Sequence, residues 1–167
     1  MEDYFARLGL PRRFSFSRAE IDTAYRERSR QVHPDQHQGT SQSAHLVSRD
    51  MTAAVNEAYT VLRDPYKRAD YLLSQFGGPS ATELRDIPPE FLEEVLMLRM
   101  EMEELDANSP QLQAMELKLQ AQRDRLFEEL APLLDTGSQD LAHLQLCRKK
   151  LNAVHYIVNL LRDIRLR

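Results

Sequence analysis

Residues 25–35 read Tyr-Arg-Glu-Arg-Ser-Arg-Gln-Val-His-Pro-Asp, and this stretch decides how the N-terminal half of the chain folds. Pro34 lacks a backbone N–H and disfavours helical backbone at the residue before it, so a helix that enters the stretch must end at His33. The same helix begins at Ser17, because residues 17–20 (Ser-Arg-Ala-Glu) form a capping box whose two polar side chains satisfy free backbone N–H groups. The sequence therefore predicts a capped helix that leads into an exposed loop.

Other helical segments flank this one on both sides. A short helix is expected from Glu2 to Leu8. A third helix is predicted by apolar residues at helical spacing, namely Val47, Met51, Ala54, Val55, Ala58 and Leu62. Asp64-Pro65 ends the third helix and caps a fourth, and Gly77 stands where a C-terminal cap belongs.

Two clusters of proline and glycine, near residues 76–80 and 86–89, divide the chain into two domains. We expect a first domain over 1–76, a linker over 77–88 and a second domain over 89–167. Three longer helices fit the second domain, and Gly137-Ser138 opens the last of them. Three helices joined by short loops predict an antiparallel bundle.

Composition agrees with an all-α protein. The 167 residues are 42% apolar and 29% charged, and only five are glycine. The net charge of −4 provides no basic field for nucleic acid or an anionic membrane. Cys147 is the only cysteine, so an internal disulfide and a paired-cysteine metal site are excluded. With an acidic start and no apolar run of membrane-spanning length, the chain is expected to be cytoplasmic.

The tripeptide His33-Pro34-Asp35 is a candidate binding site. The helix before it carries Arg26 and Arg30 one turn apart, and a basic face beside a loop carboxylate suits a charged protein partner. The alternative is a simple helix stop beside a solvated arginine face. A metal enzyme would need His33, Asp35 and His37 as ligands, but Pro34 breaks the helix that would present them. We therefore expect no enzyme activity, no catalytic residues, no metal and no cofactor.

The first helix of the second domain is apolar on two sides. One side provides a core stripe through Phe91, Val95 and Leu98. A second strip, consisting of Leu92, Leu96 and Met100 and rimmed by glutamates such as Glu93, lies about 100 to 180 degrees away. This strip is either more core or a partner-binding surface, and the spacing does not decide between them.

Residues 25–35 resemble the J-domain of DnaJ-type co-chaperones when they are taken together with residues 56–65 (Asn-Glu-Ala-Tyr-Thr-Val-Leu-Arg-Asp-Pro) and Lys67-Arg68-Ala69. That resemblance covers residues 1–76. The opening Asp3-Tyr4-Phe5, the closing residues 68–73 (Arg-Ala-Asp-Tyr-Leu-Leu) and the helical C-terminal half further resemble the HscB family of iron–sulfur cluster assembly. This second resemblance covers essentially the whole chain.

The resemblance implies an L-shaped molecule, with a J-domain hairpin followed by a three-helix bundle. It implies that the loop of His33, Pro34 and Asp35 stimulates the ATPase of the DnaK-family chaperone HscA, and the basic face of Arg26 and Arg30 is expected to bind the same chaperone. It also implies that the bundle binds the cluster scaffold protein IscU through Leu92, Leu96, Met100, Glu93 and Tyr156. The alternative is a J-domain co-chaperone for another DnaK-family chaperone and a different client.

Two residues depart from the J-domain pattern. Arg28 stands where leucine is usual, and its methylenes are expected to line the hairpin while the guanidinium reaches water. Val32 is smaller than the usual aromatic residue. Both departures bear on stability more than on the tripeptide.

Overall fold

The computed structural model describes residues 3–33 and 41–167, and every regular element in those ranges is a helix. The helices are α1 Tyr4–Leu8, α2 Arg18–Val32, α3 Gln42–Leu62, α4 Pro65–Gln75, α5 Pro89–Glu104, α6 Pro110–Asp135 and α7 Leu141–Arg165. The predicted all-α class is confirmed. The chain forms two compact units, Met1–Leu72 and Leu73–Arg167, each with its own core.

The first unit is built on the pair α2 and α3, and α1 packs against both. Its core is made of apolar side chains from all four helices: Phe5, Leu8, Ile21, Val32, Val55, Ala58, Leu62, Ala69 and Leu72. The predicted capping box is confirmed, since the Ser17 hydroxyl accepts the Glu20 N–H at 3.1 Å and the Glu20 carboxylate accepts the Ser17 N–H at 2.7 Å. Asp64 caps α4 as predicted, with its carboxylate accepting the N–H groups of Tyr66 and Lys67.

A buried arginine completes the first unit. Arg68 of α4 donates to the backbone carbonyls of Phe14 at 3.0 Å, Leu62 at 2.7 Å and Phe16 at 3.4 Å. Its guanidinium also lies over the Phe14 ring, 4.9 Å from the centroid. One side chain therefore joins the loop before α2 to the end of α3.

The predicted third helix is confirmed as α3, but two of the apolar residues that indicated it are not buried. Val47 and Met51 are exposed, whereas Ser48 is buried. The buried face of α3 runs through Ser48, Val55, Ala58 and Leu62. Near its N-terminus α3 therefore meets α2 through polar side chains, since the hydroxyls of Ser48 and Thr52 donate to the Val32 carbonyl.

The second unit is a bundle in which consecutive helices are antiparallel. Lys150 and Arg165 of α7 bind Glu129 and Glu116 of α6, so residue numbers rise on one helix as they fall on its neighbour. Gln122 of α6 donates to Glu94 of α5, and both lie at similar distances along the chain from the short loop over 105–109, so these two helices are antiparallel as well. The three helices share a core made of Val95, Leu98, Met102, Leu112, Met115, Leu119, Ile157, Leu160, Leu161 and Ile164.

The start of α7 differs from the prediction. Asp140 caps this helix by accepting the His143 N–H at 3.2 Å, so α7 begins at Leu141. Gly137, with φ of 67°, instead turns the chain after α6. Further along α7, Cys147 is buried, and burial raises the pKa of its thiol.

The segment before α5 is fastened to α7. The Asn152 side-chain amide donates to the carbonyls of Leu84 and Asp86, both at 2.9 Å. The amide oxygen of Asn152 accepts from Nε of Arg148 at 3.0 Å, and both side chains are buried. Residues 84–86 fall within the segment expected to be a linker, yet they are hydrogen-bonded to the bundle.

Candidate functional site

Two tyrosines join α2 to α3. The rings of Tyr25 and Tyr59 are stacked with centroids 4.0 Å apart. The Tyr59 hydroxyl donates to Asp22 at 2.7 Å, and the Tyr25 hydroxyl donates to Asn56 at 2.6 Å. The hydrogen bond from Tyr59 lowers the pKa of Asp22, with a smaller contribution from Arg18. These contacts fix the position of α2 on α3, and with it the position of the residues on the exposed face of α2.

The C-terminal end of α2 is held by hydroxyl groups of α3. The Val32 carbonyl accepts from the Ser48 hydroxyl and, at 3.3 Å, from the Thr52 hydroxyl. A carbonyl in the last turn has no partner within its own helix, so these hydroxyls satisfy it. His33 follows with extended backbone (φ −61°, ψ 139°) and an exposed side chain. Pro34 and Asp35, and also His37 of the metal alternative, lie outside the described residues.

The predicted basic face lies on the surface of α2. Arg26 and Arg30 are both exposed, and Arg26 donates to the Thr23 hydroxyl one turn earlier, at 3.4 Å. Arg30 lies in the last turn of the helix, where a cation is favoured by the negative end of the helix dipole. Arg26 and Arg30 therefore lie on α2, and His33 is the C-cap of the same helix.

Arg28 packs against the turn that follows α1. Its side chain is half-buried, and one guanidinium nitrogen lies 2.9 Å from where a Cβ would stand at Gly9. Gly9 has φ of 70°, so a larger residue there would meet both backbone strain and Arg28. Arg28 therefore covers the α1 turn where the J-domain pattern has leucine.

The second apolar strip of α5 lies on the surface of the bundle. Leu92 is 41% exposed, Leu96 is 54% exposed and Met100 is 68% exposed, whereas Val95, Leu98 and Met102 are buried. These values rule out the alternative in which the strip is part of the core. An exposed run of apolar side chains along one helix face is typical of a protein-binding surface.

Tyr156 of α7 lies beside this strip. It is 38% exposed and shares with Leu92 a groove of about 600 Å³, which we call the Leu92 groove. The groove is lined by Arg85, Asp86, Ile87, Pro88, Pro89, Leu92, Leu146, Lys149, Lys150 and Tyr156. The structure thus brings together two of the predicted scaffold-binding residues from different helices.

Glu93 lies on the other flank of α5. It borders a depression towards α6 together with the carboxylates of Glu90, Glu94 and Glu101, which face the single cation of Lys118. The exposed strip therefore has the α7 groove on one side and an acidic edge on the other.

Sequence reasoning identified Tyr156 but missed the other α7 residues that line the groove. Leu146 is 45% exposed on α7, out of phase with the buried stripe of that helix. That mismatch is a signal that the sequence alone contains. Nothing in the sequence indicates that Ile87 and Pro88 line the groove, because their position depends on the hydrogen bonds that hold residues 84–86 to α7.

The described part of the chain contains neither a metal-binding cluster nor a helix that could span a membrane. No group of three or more His, Cys, Asp or Glu side chains in residues 3–33 and 41–167 is arranged to hold a metal ion. Within the same ranges, each helix is too short or too polar to cross a membrane.

Comparison with known proteins identifies the family. Residues 3–71 match the DnaJ domain, and residues 87–165 match the HSCB C-terminal oligomerisation domain. The Co-chaperone protein HscB of Proteus mirabilis is 31% identical over 144 residues, which are 84% of this chain and 83% of that protein. The chain belongs to the HscB co-chaperone family. A second HscB homolog, from Bordetella petrii, is 34% identical over 135 residues, covering 80% of this chain and 79% of its own.

Solved HscB structures share the fold. Chaperone HscB from Vibrio cholerae superposes with a TM-score of 0.79 at 26% identity, covering 99% of this chain and 96% of that one. Human co-chaperone protein HscB superposes with a TM-score of 0.82 at 24% identity, covering 99% of this chain and 82% of that one. At this identity the likeness supports the fold and nothing further. A J-domain co-chaperone of the HscB family has a DnaK-family chaperone as its partner, and the relatives matched here are co-chaperones and not enzymes.

Proposed function

We propose that this protein stimulates the ATPase of the DnaK-family chaperone HscA and delivers the iron–sulfur scaffold protein IscU to it. In this proposal His33, Pro34 and Asp35 act on the chaperone, and Arg26 and Arg30 attract its acidic surface. Leu92, Leu96, Met100 and Tyr156 bind the scaffold, with Glu93 at the acidic edge. The protein would act in the cytoplasm, and a reducing compartment suits its single unpaired thiol.

The observation that carries the proposal is the exposed strip on α5. An HscB-family chain with a J-domain needs a second surface to hold its client, and Leu92, Leu96 and Met100 lie exposed in line beside Tyr156. Holding a client and a chaperone on one chain raises the local concentration of each for the other. The protein would therefore assist cluster assembly and transfer by bringing two proteins together.

The test uses three purified proteins. Single-turnover ATP hydrolysis by HscA is expected to accelerate on addition of this protein, and to accelerate further when IscU is also present. Calorimetric titration is expected to show direct binding of IscU. The proposal would be overturned if the protein accelerated DnaK and bound unfolded peptides but did not bind IscU, since that result favours another chaperone and client.

A further inference from the structure

The Leu92 groove extends the apolar strip beyond the beginning of α5. Ile87, Pro88 and Pro89 form one wall, while Leu146 and Tyr156 of α7 contribute the other. The apolar surface therefore runs from Met100 along α5 through Leu92 and continues onto α7. A partner that covers the strip also reaches the groove, because Leu92 belongs to both.

A buried polar network fixes one wall of this groove. Asn152 donates to the carbonyls on either side of Arg85, and its own amide oxygen is held by the fully buried Arg148. The backbone that leads into Ile87 and Pro88 is therefore set before any partner binds. A surface that is already ordered loses less conformational entropy on association.

The charges around the groove favour an anionic occupant. Arg85, Lys149 and Lys150 line it, against the single carboxylate of Asp86. Lys150 is already bound to Glu129 at 2.9 Å, whereas the part of the chain that the structure describes places no carboxylate within 4 Å of Arg85 or Lys149. Lys149 therefore offers a cation at the edge of an apolar pocket in a chain whose net charge is −4.

We propose that the Leu92 groove is a second subsite for the scaffold protein, and that it receives a segment carrying an apolar side chain next to an aspartate or glutamate. The apolar side chain fills the space between Ile87, Leu146 and Tyr156, and the carboxylate pairs with Lys149. This inference rests on the proposed function, and it assigns to Lys149 and Leu146 a role in selecting the partner and its orientation. Lys149 places a positive charge at the groove, and the glutamates near Glu93 place negative charge on the other flank of α5. This separation of charge favours one orientation of the bound scaffold protein.

The test measures the affinity of the full-length chain for purified IscU by calorimetry. Lys149→Glu is expected to weaken binding by about 10-fold or more, Lys149→Gln by less, and Leu146→Ala by about 3- to 10-fold. The salt dependence of binding is expected to become shallower in Lys149→Gln. Matched controls on α6, Arg125→Glu for the charge reversal and Leu117→Ala for the truncation of an exposed leucine, are expected to stay within about 2-fold. Far-UV circular dichroism verifies that each variant is folded.

The outcomes separate this inference from the proposed function. If Leu92→Ala with Leu96→Ala abolishes IscU binding while the Lys149 and Leu146 variants bind normally, the subsite is refuted and the proposed function stands. If the unaltered protein does not bind IscU, the proposed function fails, and the subsite fails with it. Tighter binding by Lys149→Glu would refute an acidic occupant. Loss of self-association in Leu146→Ala by sedimentation velocity, with unchanged IscU binding, would assign the groove to a second copy of the chain and refute the proposal.

Discussion

Val32 ends α2 with its carbonyl oxygen held by two hydroxyl groups of α3, so the backbone at His33 leaves the helix in a fixed direction. The contact depends on Ser48, which is buried and donates from its side chain. A hydroxyl of this kind adds about 0.5 to 1.5 kcal/mol to folding stability, and its loss leaves a polar group without its best partner. The display of His33 thus depends on a residue fifteen positions away in the sequence.

His33→Gln is expected to abolish stimulation of the chaperone ATPase and to leave the fold intact, because the side chain is exposed at the end of α2. Single-turnover ATP hydrolysis by the chaperone measures the first effect, and the thermal midpoint of unfolding measures the second. His155→Gln, which changes an exposed histidine of α7, is the control. Stimulation that persists in His33→Gln at matched concentration would contradict the assignment.

Glu20 is expected to make the first unit sensitive to acid. The Ser17 N–H donates to its carboxylate and lowers its pKa below the ordinary 4.5. A group whose pKa is lower in the folded state stabilises above its unfolded pKa and loses that contribution as the pH falls through the folded value. Unfolding below pH 4.5 should therefore show a smaller acid-induced loss in Glu20→Gln than in the unaltered protein.

The near-UV signal of tyrosine measures this effect, since five of the six tyrosines lie in the first unit. Superimposable pH profiles for the two proteins would show that the capping carboxylate has no such role.

Contacts between residues near in sequence were predictable, and those between distant residues were not. The Ser17–Glu20 capping box was identified because both partners lie three residues apart in a recognised pattern. The three carbonyls bound by Arg68 belong to two segments that only the folded chain brings together. Arg68 could be noted as part of a resemblance, but its structural task could not be derived.

At the scale of a helix, the positive charge of Arg26 and Arg30 on α2 is expected to attract the chaperone. Stimulation of the chaperone ATPase at subsaturating protein should fall as salt rises, because the screening length shortens from about 10 Å at 0.1 M to about 3 Å at 1 M. Arg26→Gln with Arg30→Gln should lower the rate at low salt and flatten the response. The chaperone's own salt sensitivity is subtracted, and a flat response in the unaltered protein would contradict electrostatic docking.

The exposed strip of α5 is expected to contribute to binding and little to stability. Leu92→Ala with Leu96→Ala should weaken scaffold binding by about 1 to 3 kcal/mol per leucine. The loss of unfolding free energy should stay well below the about 2 to 5 kcal/mol of a buried leucine, since the two side chains are 41% and 54% exposed.

A binding titration beside thermal unfolding measures both quantities. Met97→Ala, which truncates a residue that is 66% exposed on the acidic flank, is the control. A bundle that melts early in the double variant would mean that the leucines support the core.

The spacing of apolar residues predicts the buried face of some helices but not of others. The core stripe of α5 through Val95 and Leu98 was correct, because apolar residues at helical spacing had a single consistent phase. On α3, Val47 and Met51 share the helical spacing of the core but lie on the surface. The partner helix decides which of two neighbouring faces is buried, and α2 presents to α3 a carbonyl that needs a hydroxyl.

At the scale of the whole molecule, two units with separate cores should allow each activity to be removed alone. Leu92→Ala with Leu96→Ala is expected to keep direct stimulation of the chaperone ATPase and to lose the extra stimulation by IscU. His33→Gln should bind IscU with unchanged affinity. These two variants, tested side by side by single-turnover hydrolysis and calorimetry, would contradict this view if either one lost both activities.

The buried position of Cys147 has a consequence for a protein proposed to handle a cluster-bearing client. Thiolates are strong ligands of iron, and an accessible one could compete with the client's own ligands and withdraw metal during transfer. Burial raises the pKa of the only thiol in this chain and separates its sulfur from solvent, so the thiolate form is scarce and out of reach. In the proposed function, Cys147 therefore takes no part in binding the metal of the client.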